Sequence, residues 1–338
     1  MNKEEFKILN YLSDNLGSGE NISNIFKEIS KKYSSTYYTN IYNSVARLEK
    51  KGVISIIVEG NNRLIKLNIK SPISIYYISE AENHKTIDIK ISKEIINILL
   101  DLALNSNIIT ISVLKYDDYI KINRIELLII ERSHNQDEKI INKILLVESM
   151  YNIKIDPILL TPQEFSEMLD SGELNQINNL ITDKNILYNS EGFWEIIREY
   201  KISDRYKYSK FPDELSRNQL AYNYNRFGYT LYENTQPDIE ISLEDTLFLM
   251  ANSKEVRIRY GSFILLYKNI AKINLYYLYY LFKRYEELNL LKEMFILMKE
   301  VYIKNNNPII EKLMKIIPDK QHKIYDKKMI KRYIKQYC

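Results

Sequence analysis

Three short amphipathic helices at the start of the chain constrain its fold more than any other feature. Apolar residues recur at helical spacing in three successive segments of the first fifty residues. We expect Ser34 or Ser35 to cap the third helix, whose inward stripe consists of Ile41, Val45 and Leu48. A chain that begins in this way has to pack three helices around one small apolar core.

Two β runs follow the third helix directly. Residues 53–58 and 63–69 are rich in Ile and Val, and a Gly-Asn turn separates them, which predicts a β-hairpin. Three helices followed by a hairpin resemble the winged helix-turn-helix domain of prokaryotic transcription regulators. Residues 45–54 are similar to the end of its recognition helix and the start of its wing. The resemblance implies a domain over residues 1–70 that binds double-stranded DNA.

With its apolar stripe turned inward, the third helix presents polar and aromatic side chains outward. The expected contacts to base edges and phosphates on this helix are Tyr38, Thr39, Asn40, Tyr42, Asn43 and Arg47. Four further contacts are expected: Asn62 and Arg63 at the hairpin tip, and Lys31 and Lys32 on phosphates. A winged helix that contacts only protein is the alternative interpretation.

The distribution of charge favours a polyanionic partner. The net charge of the chain is only +4, with 48 Lys and Arg against 44 Asp and Glu. Residues 1–70 hold 11 basic and 7 acidic side chains, and residues 311–338 hold 9 and 3, so the middle is acidic. The basic end predicts an amphipathic helix that extends a DNA footprint or covers an acidic neighbour. A solvated surface or a membrane surface are the alternatives.

Scarce residue types exclude several kinds of site. The 8 glycines form neither GxGxxG nor GxxxxGKS/T, so glycine-rich phosphate loops are excluded. Cys338 is the single cysteine and the three histidines are far apart, so we expect no disulfide, metal or cofactor. No uncharged stretch is long enough to span a bilayer and no signal segment begins the chain, so we expect a cytoplasmic protein.

The middle of the chain predicts a small α/β unit. Residues 71–89 look irregular and are interpreted as a linker. Over residues 90–200 the expected order of elements is α-β-β-α-β-α, with strands at 108–114, 122–130 and 153–160. His134 lies in a polar run after the second strand, where we expect a surface loop.

The segment from Ile153 to Phe165 resembles the late part of small nucleotidyltransferases of the antitoxin and DNA polymerase β type. It contains a strand with Asp156 and then the helix start Thr161-Pro162. Leu187-Tyr188 with the nearby Gly192-Phe193-Trp194 is similar to the closing segment of the family. The resemblance implies a pair of divalent metals held by Asp-x-Asp and a third carboxylate, with a Gly-Ser pair near the triphosphate.

The positions that correspond to this active site have lost its chemistry. They are Ser112 and Val113 for Gly-Ser, Arg124 and Glu126 for Asp-x-Asp, and Asp156 for the third carboxylate. Arg124 places a cation where a metal has to bind, so we expect no catalytic residues and a degenerate module that serves as a scaffold. Two alternatives remain: Asp117 or Asp118 completes a shifted site, or Arg124 binds a nucleotide phosphate and the module is a sensor.

The last third of the chain, residues 201–338, predicts a helical domain. Leu275, Leu278, Phe282 and Tyr285 form one stripe, which is typical of a bundle core. Tyr276, Tyr277, Tyr279 and Tyr280 lie on the other faces, and we expect them to be buried against more protein, such as the partner in a homodimer.

Together these features predict an α+β multidomain protein, with a winged helix, a nucleotidyltransferase-like unit and a C-terminal helical domain. The expected function is a DNA-binding transcription regulator without enzymatic activity. Two other functions remain open. One is an active, antitoxin-like nucleotidyltransferase that modifies protein or RNA, and the other is a structural chromosome or assembly factor. Frequent Ile, Lys, Asn and Tyr, which have AT-rich codons, indicate a prokaryotic source.

Overall fold

A computed structural model shows an α+β protein with two small sheets, so the α+β part of the prediction is confirmed. It describes residues 1–17, 19–33, 36–60, 62–87, 91, 93–104, 107–116, 123–200, 202, 211–212, 214–232, 238–301, 307–319 and 324–337. Among these residues, no helix combines the length and the apolar character needed to cross a bilayer.

Three helices and a hairpin begin the chain, in the predicted order. They are α1 (Lys3–Asp14), α2 (Ile22–Lys32), α3 (Tyr38–Lys50), β1 (Ile54–Glu59) and β2 (Asn62–Leu67), and the two strands pair antiparallel. Asn21 caps α2 by accepting a hydrogen bond from the backbone of Asn24. The predicted cap of α3 is wrong, because α3 begins at Tyr38 after an extended Tyr37 and has no side-chain cap. Ser34 and Ser35 lie outside the described residues.

The connection between α1 and α2 pairs with the hairpin. Glu20 and Ile65 of β2 exchange two backbone hydrogen bonds, of 2.8 and 3.1 Å. Gly19 permits this approach, because a Cβ at this position would lie 2.9 Å from the Cβ of Leu64 and 2.7 Å from Cε of Lys66. The hairpin is therefore anchored to the helices by backbone pairing as well as by the apolar core.

Residues 72–87 form a helix, α4 (Pro72–Ile87), so the irregular linker predicted over 71–89 is wrong. Ile75, Ile78 and Ala81 are buried, whereas the apolar Ile73 and Tyr76 are exposed. Because apolar side chains occupy both buried and exposed positions, the sequence shows no single apolar stripe, and its pattern does not indicate a helix.

A four-stranded sheet lies in the middle of the chain. Its strands are β3 (Ile108–Tyr116), β4 (Arg124–Glu131), β5 (Lys154–Leu160) and β6 (Asn185–Tyr188), in the order β5-β4-β3-β6. β4 and β5 are parallel, and β3 is antiparallel to both of its neighbours. Its helices are α5 (Lys93–Leu104), α6 (Asp137–Tyr151), α7 (Pro162–Asp170), α8 (Gln176–Leu180) and α9 (Ser190–Glu199). The predicted alternation over 90–200 is confirmed as far as α7.

α4 joins the N-terminal helices to this sheet. Lys85 Nζ donates to Asp14 at the end of α1 and to the carbonyl of Lys184 just before β6, both at 2.7 Å. The hydroxyl of Thr86 donates to the carbonyl of Ile186 at 2.8 Å. The segment interpreted as a linker is therefore a structural connection between α1 and the edge of the sheet.

Beyond residue 200, the described residues form helices and their connections, with an isolated bridge at Ile241. The helices are α10 (Arg217–Arg226), α11 (Leu243–Ala251), α12 (Val256–Asn269), α13 (Leu275–Arg284), α14 (Leu288–Val301), α15 (Pro308–Ile316) and α16 (Lys327–Tyr337). Leu275, Leu278 and Phe282 are buried as predicted, but Tyr285 lies beyond the end of α13 and is half exposed.

The four tyrosines on the other faces of α13 are all buried within the same chain. Tyr276 donates to Asp137 of α6, Tyr277 to Asp245 of α11 and Tyr280 to Glu126 of β4. Tyr279 is 2 % exposed. The prediction that a dimer partner covers this face is therefore wrong, because the chain's own sheet and helices occupy it.

Candidate functional site

The outer face of α3 lies open to solvent. Ile41, Val45 and Leu48 are buried, which turns the opposite side of the helix outward. The side chains predicted to contact DNA are exposed there: Tyr38, Thr39, Asn40, Tyr42, Asn43 and Arg47. Thr39, Asn40, Tyr42 and Asn43 make no side-chain hydrogen bond within the described residues. α3 therefore offers an amide- and hydroxyl-rich surface that has no partner in this part of the chain.

The cations predicted around this face differ in their partners. Lys32 and Arg63 are exposed and have no carboxylate partner among the described residues. Lys31 lies 2.6 Å from Glu28. Arg47 donates to Glu5 at 3.3 Å and to Ser44 at 2.8 Å, so its guanidinium already has partners inside the N-terminal unit. Arg47 therefore contributes to the packing of the N-terminal helices, whereas Lys32 and Arg63 do not have such contacts among the described residues.

The buried Glu5 explains why Arg47 is held. Lys51 lies 3.4 Å from the same carboxylate, and the Glu5 side chain is 3 % exposed. Burial raises the pKa of Glu5, but the backbone of Asn2 together with Lys51 and Arg47 lowers it below the ordinary value overall. The carboxylate is therefore ionised and holds the C-terminal end of α3 against α1.

Asn62 and Arg63 lie at the start of β2 and are exposed, as predicted for the hairpin tip. Gly60 in the turn before them has φ +62, a left-handed conformation that favours glycine. The basic helix predicted near the chain end is confirmed as α16, with Ile330 buried and Lys328, Lys331, Arg332 and Lys335 exposed. Lys320 and Lys323 of the same basic run lie outside the described residues.

The structure brings together three of the five positions expected at the degenerate nucleotidyltransferase site. Arg124 and Glu126 lie two residues apart on β4, and Asp156 pairs directly with Glu126 across the parallel β4/β5 ladder. Their side chains share one face of the sheet. Arg124 Nε lies 2.5 Å from Asp156 Oδ2, so the cation is paired with the carboxylate at the expected third position.

α13 covers this pair of carboxylates with two of its side chains. Arg284 Nη2 lies 3.2 Å from Glu126 Oε1, and the hydroxyl of Tyr280 donates to Glu126 Oε2 at 2.8 Å. Arg124 also donates to the carbonyl of Arg284. Three of the four carboxylate oxygens thus have a guanidinium or phenol partner, and two positive charges balance two negative ones. This arrangement does not fit a pair of divalent metals.

The other two expected positions are not part of this cluster. Ser112 pairs with Leu128, two residues along β4 from Glu126, and its buried hydroxyl has no hydrogen-bond partner within the described chain. Val113 pairs with Leu127 and is completely buried. Asp117 and Asp118, the residues of the shifted-site alternative, lie outside the described residues.

His134 belongs to a cluster that sequence reasoning missed. His134 lies in the turn after β4, as predicted, but its imidazole is only 19 % exposed and contacts three carboxylates. Nδ1 lies 3.2 Å from both Glu131 Oε1 and Asp137 Oδ1, and Nε2 lies 2.7 Å from Glu164 Oε2. The ring of Tyr276 stacks on it with centroids 4.5 Å apart. The only signal in the sequence is the spacing Glu-x-x-His-x-x-Asp across the end of β4 and the start of α6.

The carboxylates determine the charge of this cluster. Burial alone lowers the pKa of His134, but hydrogen bonds to Asp137, Glu131 and Glu164 raise it to about 11. Burial raises the pKa of Glu131.

Lys312 Nζ of α15 lies 3.7 Å from Asp137 Oδ2 and donates to the carbonyl of His134 at 3.0 Å. The cluster therefore joins β4, α6, α7, α13 and α15.

The chain matches no protein-family model, no curated protein and no solved structure.

Proposed function

We propose that this protein binds double-stranded DNA through its N-terminal winged helix and regulates transcription. The observation that carries the proposal is the outer face of α3. Its amide and hydroxyl groups are exposed and make no side-chain hydrogen bond in the described chain, while Ile41, Val45 and Leu48 on the opposite face are buried. Amide side chains such as Asn43 suit the donor and acceptor pattern of bases in a major groove.

The hairpin and the free cations support the same proposal. The β1–β2 hairpin is fixed beside the helices by the pairing of Glu20 with Ile65, so it forms a rigid wing. Lys32 at the end of α2 and Arg63 at the start of β2 are exposed and available for phosphates, which contribute affinity without sequence information.

The central unit serves in this proposal as a scaffold without nucleotidyl-transfer activity. Its Glu126 and Asp156 carboxylates are neutralised by Arg284 and Arg124, and α13 lies across them. A metal pair would have to displace both guanidinium groups and the phenol of Tyr280. These contacts favour a degenerate module over an active nucleotidyltransferase.

Protein docking is the second candidate for the winged helix. Val58 is 66 % exposed and Ile57 is 39 % exposed on β1, and Tyr37 is 70 % exposed just before α3. Exposed apolar groups of this kind are typical of protein contacts. DNA is favoured because the surrounding side chains are basic and amide-bearing.

Selection from a pool of DNA duplexes with a random central sequence tests the proposal. We expect the wild-type protein to enrich a defined motif, and Asn43→Ala to weaken binding to that motif about 5- to 150-fold. Asn142→Ala is the matched control, because Asn142 is an exposed amide on α6, in the central unit. If the wild type enriches no motif, or if both variants enrich the same motif with wild-type affinity, α3 does not read DNA.

A further inference from the structure

Glu131, His134 and Asp137 bring three potential metal ligands to one point. Glu131 ends β4, Asp137 is the first residue of α6, and His134 lies in the turn between them. One ligand atom from each residue lies within 4.8 Å of the others. The histidine Nδ1 is 3.2 Å from an oxygen of each carboxylate. Two ligands bound at about 2.1 Å to one metal are themselves about 3.0–3.4 Å apart, so these spacings suit a shared ion.

A second observation points independently to a ligand at this position. The Glu131 side chain is fully buried, and its Oε2 has no hydrogen-bond partner in the described chain. A buried carboxylate oxygen without a donor is costly, and such groups in native proteins commonly mark an ion or a catalytic role. The other oxygen of Glu131 already faces His134, so the carboxylate is directed into the cluster.

Glu164 completes the arrangement from a different element. It lies in the first turn of α7 and sits 2.7 Å from His134 Nε2, on the side of the ring away from Glu131 and Asp137. A carboxylate that accepts from one imidazole nitrogen while the other nitrogen faces metal ligands is the usual support of a metal-bound histidine. Because Glu164 is itself held by Thr161, the ring orientation is fixed before any ion binds.

We infer that this cluster is a binding site for one divalent transition metal. The ligands are His134 Nδ1 and the carboxylates of Glu131 and Asp137, and Glu164 orients the imidazole. The ion takes the place of the proton that Nδ1 holds between the two carboxylates, and this proton is released to solvent. One imidazole and two carboxylates favour Mn²⁺, Fe²⁺, Co²⁺ or Zn²⁺ over Mg²⁺ and Ca²⁺, which prefer oxygen ligands alone. The ion connects β4 to α6, and through Tyr276 and Lys312 it stabilises the contact with the C-terminal helices.

Titration of the full chain with Co²⁺ tests the site, because protein-bound Co²⁺ gives a visible absorption spectrum that depends on its ligands. We expect one equivalent of Co²⁺ to bind the wild type, and added Zn²⁺ to displace it. His134→Gln should abolish this signal, whereas His84→Gln should leave it unchanged, since His84 is an exposed histidine on α4. Glu164→Gln should weaken binding about 10- to 100-fold, as expected for a residue that orients a ligand.

Two results would overturn the assignment. One is the absence of saturable Co²⁺ binding to the wild type at millimolar metal, which would leave His134 as the cation of a salt-bridge network only. The other is equal Co²⁺ binding by His134→Gln and the wild type. Glu131→Gln provides a second variant if His134→Gln does not fold, because it keeps the shape of a side chain whose Oε2 has no donor. It should fold, as judged by circular dichroism, and lose Co²⁺ binding; Co²⁺ bound with wild-type affinity would contradict the site.

Discussion

The hydroxyl of Tyr280 should account for a large part of the energy that holds α13 on the sheet. It donates to Glu126 at 2.8 Å and accepts from Arg284 Nη1 at 3.0 Å, and the Tyr280 side chain is completely buried. Tyr280→Phe removes the hydroxyl. One oxygen of the Glu126 carboxylate then loses this donor, at a buried position that water reaches poorly. A hydrogen bond to a charged group contributes about 1.5–3 kcal/mol, so we expect a loss of about 2–3 kcal/mol in the free energy of unfolding.

Urea unfolding measures this loss, with the fluorescence of Trp194 and far-ultraviolet circular dichroism as two probes. Tyr279→Phe is the matched control on the same helix, because the Tyr279 hydroxyl makes no hydrogen bond to any described residue. We expect the control to change the free energy of unfolding by less than about 0.5 kcal/mol. Equal effects of the two substitutions would refute the reasoning, since a general cost of losing a buried phenol would then explain both.

Two further predictions concern the buried acid of α11 and the chemistry of the central unit. Burial raises the pKa of Asp245 to about 7, although hydrogen bonds from Ser242 and Tyr277 act in the opposite direction. The folded state therefore holds this proton more tightly than the unfolded state, and stability should fall as the pH rises from about 4 to 7. Asp245 should contribute about 3 kcal/mol of the loss between pH 5 and pH 8. Asp245→Asn should make the profile less steep by this amount, and an equally steep profile in the variant would contradict the assignment. For the central unit, incubation with labelled nucleoside triphosphates and Mg²⁺ should transfer no label to protein or RNA, and transfer above the protein-free background would show that the module is active.

The local sequence pattern was sufficient to predict helices and strands whose formation depends mainly on their own residues. The helices α1 to α3 and the β1–β2 hairpin follow from apolar spacing and a Gly-Asn turn, and Thr161 begins α7 with a capping box, as its sequence indicates. The cap of α3 was wrong because the chain before Tyr38 remains extended. Element order through the central sheet was likewise readable from the sequence.

The sequence pattern did not predict the role of residues whose partners are distant in the sequence. α4 was interpreted as a linker because its apolar residues face both inward and outward. The tyrosines of α13 look like an interface between subunits until their partners are known, and two of these partners, Glu126 and Asp137, lie more than 100 positions away. The partners of His134 are not evident from the sequence for the same reason, since Glu164 and Tyr276 reach it only in the folded chain.

The salt dependence of DNA binding measures how many phosphates the cations beside the α3 surface contact. With a duplex of random sequence, the logarithm of the binding constant should fall linearly with the logarithm of salt concentration. In Lys32→Gln/Arg63→Gln the magnitude of the slope should be smaller by about 2, since each phosphate contact contributes about 0.9. Lys331→Gln/Arg332→Gln on α16 removes the same charge and should leave the slope unchanged if the winged helix alone carries the contact. A slope that changes only in the α16 variant, or in neither, would contradict DNA binding by the α3 face.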